Sequence, residues 1–164
     1  MASTQVKRTE IAHFLDITPS TTYSWKAIGT GIVDFGQSYS ANKTTEKWII
    51  NDVATTTLDS YSINADVSQT CYFGDDVYDF VNALRRSEAT GDDAVTNILD
   101  IDKYDVDGSD YQATLHECVV SITSYATGET PKIEYTIDYN GDGTEGTVVI
   151  TNGVPVFTAD SSSL

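Results

Sequence analysis

The sequence predicts a mainly β domain, a β-sandwich or partly closed barrel of about seven or eight strands, with one helix on its flank near residues 75–88. Three observations lead there. Between Ser60 and Cys71, Tyr61, Ile63, Ala65, Val67, Gln69 and Cys71 alternate with Ser60, Ser62, Asn64, Asp66, Ser68 and Thr70. That period of two belongs to a strand with one buried and one wet face. From Lys132 to Tyr139, Ile133, Tyr135, Ile137 and Tyr139 alternate with Lys132, Glu134, Thr136 and Asp138 in the same way. Between these runs, Val77, Phe80, Val81 and Leu84 follow the i, i+3, i+4, i+7 spacing of a helix face.

Each element has its own signal. Val6 to Ile17 is mixed in pattern and admits a strand, an arm or a short helix. Pro19 then breaks the chain in a Thr/Ser-rich loop, and Tyr23 to Ile28 reads as a short strand with Trp25 in the core. After Gly29-Thr-Gly31, an alternating strand sets Val33, Phe35 and Tyr39 against Asp34, Gly36 and Ser38. Residues 42–57 turn polar around Trp48-Ile49-Ile50, as a long hairpin loop or the extended tip of two strands. In the helix, Asp75 or Asp76 can cap the first turn, Arg85 and Arg86 suit the last, and Gly91 offers a stop. A strand around Val95, Ile98 and Leu99 leads into an acidic loop, Asp100 to Asp110. Tyr111 to Tyr125 forms another strand, with Cys118, Val120 and Ile122 facing one way. Asn140-Gly-Asp-Gly143 reads as a turn before a strand at Thr147–Thr151. Asn152-Gly153 is a two-residue hairpin signal, and Val154 to Thr158 returns.

The whole chain, residues 1–164, reads as one domain with an N-terminal arm or first strand at 1–20, a long loop at 42–57 and a short tail at 160–164. The Ser-rich end from Ser161 to Leu164 is expected to be disordered. No apolar run is long enough to span a membrane, so no membrane insertion is expected. The N-terminal residues lack the apolar region of a signal peptide, which predicts synthesis in a cytoplasm or exit by another route. Cys71 and Cys118 are too few for a disulfide scaffold and read as small core residues.

The net charge of −16 is uneven: residues 1–88 carry 11 acids and 7 bases, residues 89–164 carry 14 and 2. Such a surface repels phosphates and excludes nucleic-acid binding through a basic patch. It serves solubility, or a surface that faces a polyanion without adhering to it.

Motifs that carry chemistry are thin. Asp138-Tyr-Asn140-Gly-Asp142-Gly143 copies the start of an EF-hand loop, but the twelfth position is Val149 and strands flank it. A turn explains it better. Asp100, Asp102, Asp105, Asp107 and Asp110 read as a solvated acidic loop. His116 and Cys118 share a strand face without further zinc ligands nearby, and His13 is isolated. No nucleophile elbow, phosphate loop, CxxC pair or dinucleotide fingerprint is present, so the reading is non-enzymatic, with no cofactor. Trp48, Ile49 and Ile50, rimmed by Lys43, Glu46, Lys47 and Asp52, are the candidate contact site for another protein.

The order of these elements resembles the major tail protein, or tail tube protein, of long-tailed, siphovirus-like bacteriophages. The resemblance covers nearly the whole chain. It is most specific from Trp25 to Asp102, through Asn51-Asp-Val-Ala-Thr-Thr-Thr-Leu-Asp-Ser-Tyr61 and Gly74-Asp-Asp-Val-Tyr-Asp-Phe-Val81 with Leu84-Arg-Arg86. It implies a tail-tube-like fold, and homohexameric rings whose inner strands join into one barrel. The rings stack through a long loop into a tube in the virion tail, assembled in the bacterial host cytoplasm. The implied partners are further copies, a tape measure protein, tail terminator and distal tail proteins, and double-stranded DNA that passes without specific binding. On this resemblance 42–57 is the stacking loop, carrying Lys43, Glu46, Lys47, Trp48, Ile49 and Ile50, and Asp34, Asn64, Asp66 and Glu134 face the lumen. The alternatives are the inner tube of a contractile injection device and an acidic calcium-dependent binding module.

Overall fold

The computed structural model describes residues 2–19 and 22–161. The predicted disordered end falls largely outside them, at 162–164. A short 3-10 turn, Arg8–Glu10, leads into β1 (Ile11–Asp16), followed by β2 (Trp25–Ala27), β3 (Gln37–Glu46) and β4 (Thr55–Thr70). Helix α1 (Asp76–Ser87) and a second 3-10 turn, Gly91–Ala94, separate these from β5 (Val95–Asp107), β6 (Asp110–Ala126), β7 (Lys132–Thr151) and β8 (Val154–Ala159). All eight strands form one antiparallel sheet in the order β2-β1-β5-β6-β7-β4-β3. The 20-residue β7 takes β4 beside its first half and β8 beside its second, so β8 lies off the main path. The sheet is not closed, although it curls far enough for β2 to lie against β8.

Two cores occupy opposite faces. On one, Leu15, Ile98, Cys118, Val120, Ile133, Tyr135, Ile137, Ala65 and Val67 pack against Val77, Tyr78 and Val81 of α1. Val77 and Val81 are 1% and 0% exposed. Each such side chain contributes roughly 1.5–3 kcal/mol relative to exposure. A helix this short is marginal alone, so docking on the sheet holds it. On the other face, inside the curl, Phe14, Trp25, Leu99, Ile101, Ala113 and Val148 form a second cluster. Trp25 is a core residue, as its sequence context predicts.

Polar groups fasten the first core. Gln69 is fully buried; its amide donates to Thr30 O (3.0 Å) and Asp75 Oδ2 (3.1 Å), and its Oε1 accepts from Tyr135 (3.1 Å). Asp75 also caps α1 by accepting from Tyr78 N at 3.0 Å. One buried amide thus joins β4, β7, the 29–32 segment and the helix start.

Several sequence expectations are corrected. The helix stops at Glu88, a non-glycine residue in the left-handed region (φ 50), rather than at Gly91. The third strand begins at Gln37: residues 33–36 belong to no strand, with Val33 exposed and Phe35 half-buried over the sheet. The 42–57 segment is the extended tip of two strands. Asp100 to Asp107 is strand, not loop; only Gly108 and Ser109 turn, and the pairing with β6 slips between Asp102 and Val106. Asn140 to Gly143 does not reverse the chain. There β7 continues as strand, and three residues, Gly141 to Gly143, bulge opposite His116. Asn152-Gly153 does turn, with positive φ at both positions, as a two-residue hairpin requires.

Candidate assembly surfaces

The wet face of β4 extends across four strands. Its Asn64 lies between Ser38 and Asp138, Asp66 beside Thr136, and Ser68 beside Glu134, while Ser62 and Ser60 stand beside Ser40 and Asn42. Ser121 of β6 continues the row past Thr136. The side chains hold one another: Thr136 Oγ1 donates to Asp66 Oδ1 (2.9 Å) and Asn42 Nδ2 to Ser60 Oγ (3.0 Å). The register therefore brings Asn64, Asp66 and Glu134 onto one hydroxyl- and carboxylate-bearing wall. Lys132 sits at its margin, paired with Thr70 at the strand end. Asp34 does not join the wall. It lies exposed in the stretch before β3, the segment that covers the helix side of the sheet.

Beyond Ile63, β4 no longer has β7 as a neighbour, and it continues outward with β3 alone. Residues 41–62 form a two-stranded arm, which over the eight β4 residues from Ser62 to Thr55 projects about 26 Å. Every residue of it is exposed. The tip turns through Trp48, whose carbonyl accepts from Asn51 N at 2.9 Å. Trp48 is 64% exposed, Ile49 102% and Ile50 83%, with Lys43, Glu46 and Lys47 around them. Tyr61, expected on the buried face, is exposed because the alternation has no core behind it out here. Two-stranded ribbons are marginal in water. This one ends in the most exposed large apolar cluster among the described residues.

A third site gathers titratable groups at the far end of the helix-side core. Asp100 Oδ1 meets His13 Nδ1 at 2.5 Å and accepts from Tyr139 (3.3 Å), and its Oδ2 accepts from Gln37 (2.9 Å). His13 is therefore not isolated. His116 lies edge-on to Tyr139, and its buried Nδ1 has no hydrogen-bond partner. Burial lowers its affinity for a proton, against the opposing pull of Asp100 and Asp142. Burial, with Asp100 next, raises the carboxyl of Asp102. A cleft of about 390 Å³ opens beside Asp100, His116 and Asp102. Asp100 is engaged by three donors, so the cluster ties the 35–37 segment to β1, β5 and β7 and holds no poised nucleophile. Elsewhere burial raises the thiol of Cys118, and both cysteines are free. Among the described residues, no group of three or more His, Cys, Asp or Glu side chains is arranged to hold a metal ion, and no helix is long and apolar enough to cross a membrane.

Sequence reasoning missed the Asp100 cluster, because its members come from four separate strands. It also missed Phe73, which is 99% exposed in the turn before α1. The signal was there in Phe73-Gly74, an aromatic beside a turn glycine.

No family model matches this sequence, and no curated protein matches it. Solved structures do share its fold. A chain from the tail of an empty GTA particle, determined by helical refinement with C6 symmetry, superposes with a TM-score of 0.61 at 13% identity, over 85% of this chain and 98% of that one. A chain from the six-fold symmetrised baseplate of the anti-feeding prophage (AFP) gives 0.51 at 8% identity, over 88% and 97%. The fold is thus that of subunits from tail and tail-like injection assemblies.

Proposed function

We propose that this chain is a non-enzymatic structural subunit of a phage-like tail tube, closing into homohexameric rings that stack through the 42–57 arm around a DNA-conducting lumen. The observation that carries this reading is the two-stranded arm. It is too exposed to be explained by the subunit's own stability, and its Trp48, Ile49 and Ile50 are the residue types that anchor protein contacts. The fold likeness to chains from C6 and six-fold assemblies supports the ring. The edge strand β3, at the end of the strand order away from the curl, is the kind of edge that ring closure covers.

In this reading the wall of Asn64, Asp66 and Glu134 lines the lumen. A lysine there would repeat in every subunit and hold the DNA phosphates, whereas hydroxyls and carboxylates let the duplex slide. Asp34, lying off the wall, is left out of it. The tube holds a tape measure protein before ejection and is bounded by tail terminator and distal tail proteins, in a virion tail assembled in the host cytoplasm. The AFP likeness favours one second reading, the inner tube of a contractile injection device, which shares the fold and differs in what surrounds the tube.

Trp48→Ala tests the arm. Sedimentation across a concentration series should show half-assembly shifted upward about tenfold, equivalent to about 1.4 kcal/mol per contact, with monomer melting unchanged. Unshifted assembly would mean that the arm tip is not the stacking contact.

A further inference from the structure

At the end of β4 opposite the arm tip, the chain makes a tight turn before α1. Tyr72 O accepts from Asp75 N at 3.2 Å, and Gly74 has φ +92, the conformation a type II turn needs at its third residue. Phe73 occupies the corner, 99% exposed, beside Tyr72 at 53%. The turn is pinned on both sides, by the Thr70–Gly31 hydrogen bond (2.9 Å) behind it and by Asp75, which Gln69 fixes, in front. A large aromatic side chain is thus held out to solvent on a rigid corner, so little conformational freedom is lost when something covers it.

We propose that the Tyr72–Phe73 turn is the seat for the Trp48–Ile50 tip of a second copy of this chain, in the next ring; this rests on the function proposed above. Geometry is the first support. The 16-residue β4 spans about 50 Å between tip and turn, so a chain cannot fill its own seat. A contact between two different patches at opposite ends joins copies head to tail, the heterologous arrangement that propagates a stack. Charge is the second. In a chain of net charge −16, the tip is neutral, with Lys43 and Lys47 balancing Glu46 and Asp52. The seat carries more acids than bases: Asp75, Asp76 and Asp79 follow it and Glu129 lies in the adjoining β6–β7 turn, where Pro131 O accepts from Cys71 N (3.0 Å), against Lys132 paired with Thr70 and Lys26 beside Asp76. Asp76 already holds Lys26 at 3.1 Å and Asp79 Oδ1 accepts from Gly74 N at 3.4 Å, which leaves Asp79 Oδ2 and Glu129 to meet the tip lysines. Two acidic ends would repel, whereas a neutral tip that carries two lysines can approach an acidic seat.

The test is a disulfide across the contact. Ile49→Cys and Phe73→Cys are combined in a Cys71→Ser background, held at assembling concentration under mild oxidation, and run on a denaturing gel without reductant. A ladder of covalent multimers is expected, with each single-cysteine variant going no further than dimers. Phe73→Asp should also raise the half-assembly concentration about tenfold or more, with monomer melting unchanged. If the wild-type protein forms tubes but the double variant gives no ladder, the seat lies elsewhere and this inference is overturned while the tube stands. If the wild-type protein never assembles, the inference falls with the function it rests on.

Discussion

His116 stands where a strand bulge, a tyrosine ring and the carboxylates of Asp100 and Asp142 meet, and its chemistry follows from that position. Gly143 makes room for it: a Cβ there would fall 2.5 Å from the imidazole. An unfolded histidine takes its proton near pH 6.5. The native His116 takes it only at lower pH. As pH falls through about 6.5 the unfolded state therefore binds more protons, and stability drops until native His116 is protonated too. Asp102 works in the opposite sense. Its raised carboxyl adds stability as pH falls from its native value towards about 3.9. The melting temperature should fall as pH is lowered through about 6.5, and His116→Gln should flatten that fall. An unchanged slope in the variant would remove His116 as its source.

At the scale of elements, α1 ends with a local penalty. Glu88 adopts φ 50 while its N–H bonds back to Leu84 and Arg85. Side chains pay for that conformation through crowding at Cβ, which glycine lacks. Glu88→Gly should stabilise the monomer by about 1 kcal/mol in denaturant unfolding, and Glu88→Ala should not. A gain from alanine as large as from glycine would place the effect in the lost charge instead. The same element shows what was legible in the sequence. Helix, cap and buried face could be read because Asp75, Val77 and Val81 act within two turns of one another. The stop could not, because Gly91 looked the better breaker and the Glu88 conformation is set by how the chain turns into Thr90–Ala94. The alternation of β4 and β7 was legible wherever a core lies behind it and failed at Tyr61, where none does. Asn140–Gly143 misled for a related reason: turn residues also make bulges, and only the partner strand decides which. Of the candidate surfaces, the exposed tip was visible as Trp48-Ile49-Ile50 in polar surroundings. The shared wall of Asn64, Asp66 and Glu134 depends on strand register, and the Asp100 cluster on four strands meeting.

For the whole molecule, the sheet divides its labour. The curled half, from β2 round to β8, encloses its own core. The other half carries α1 on one face and a polar wall on the other, and it extends into an arm with no partner in the subunit. A neutral apolar tip at one end, a rigid aromatic corner at the other and a polar wall between them fit a subunit whose surfaces are completed by copies of itself. Negative-stain electron microscopy of the purified protein at high concentration, with and without a calcium chelator, tests that most directly. Hollow tubes or six-membered rings, indifferent to the chelator, are predicted. A protein that stays monomeric at every concentration and gains thermal stability from calcium would contradict the account.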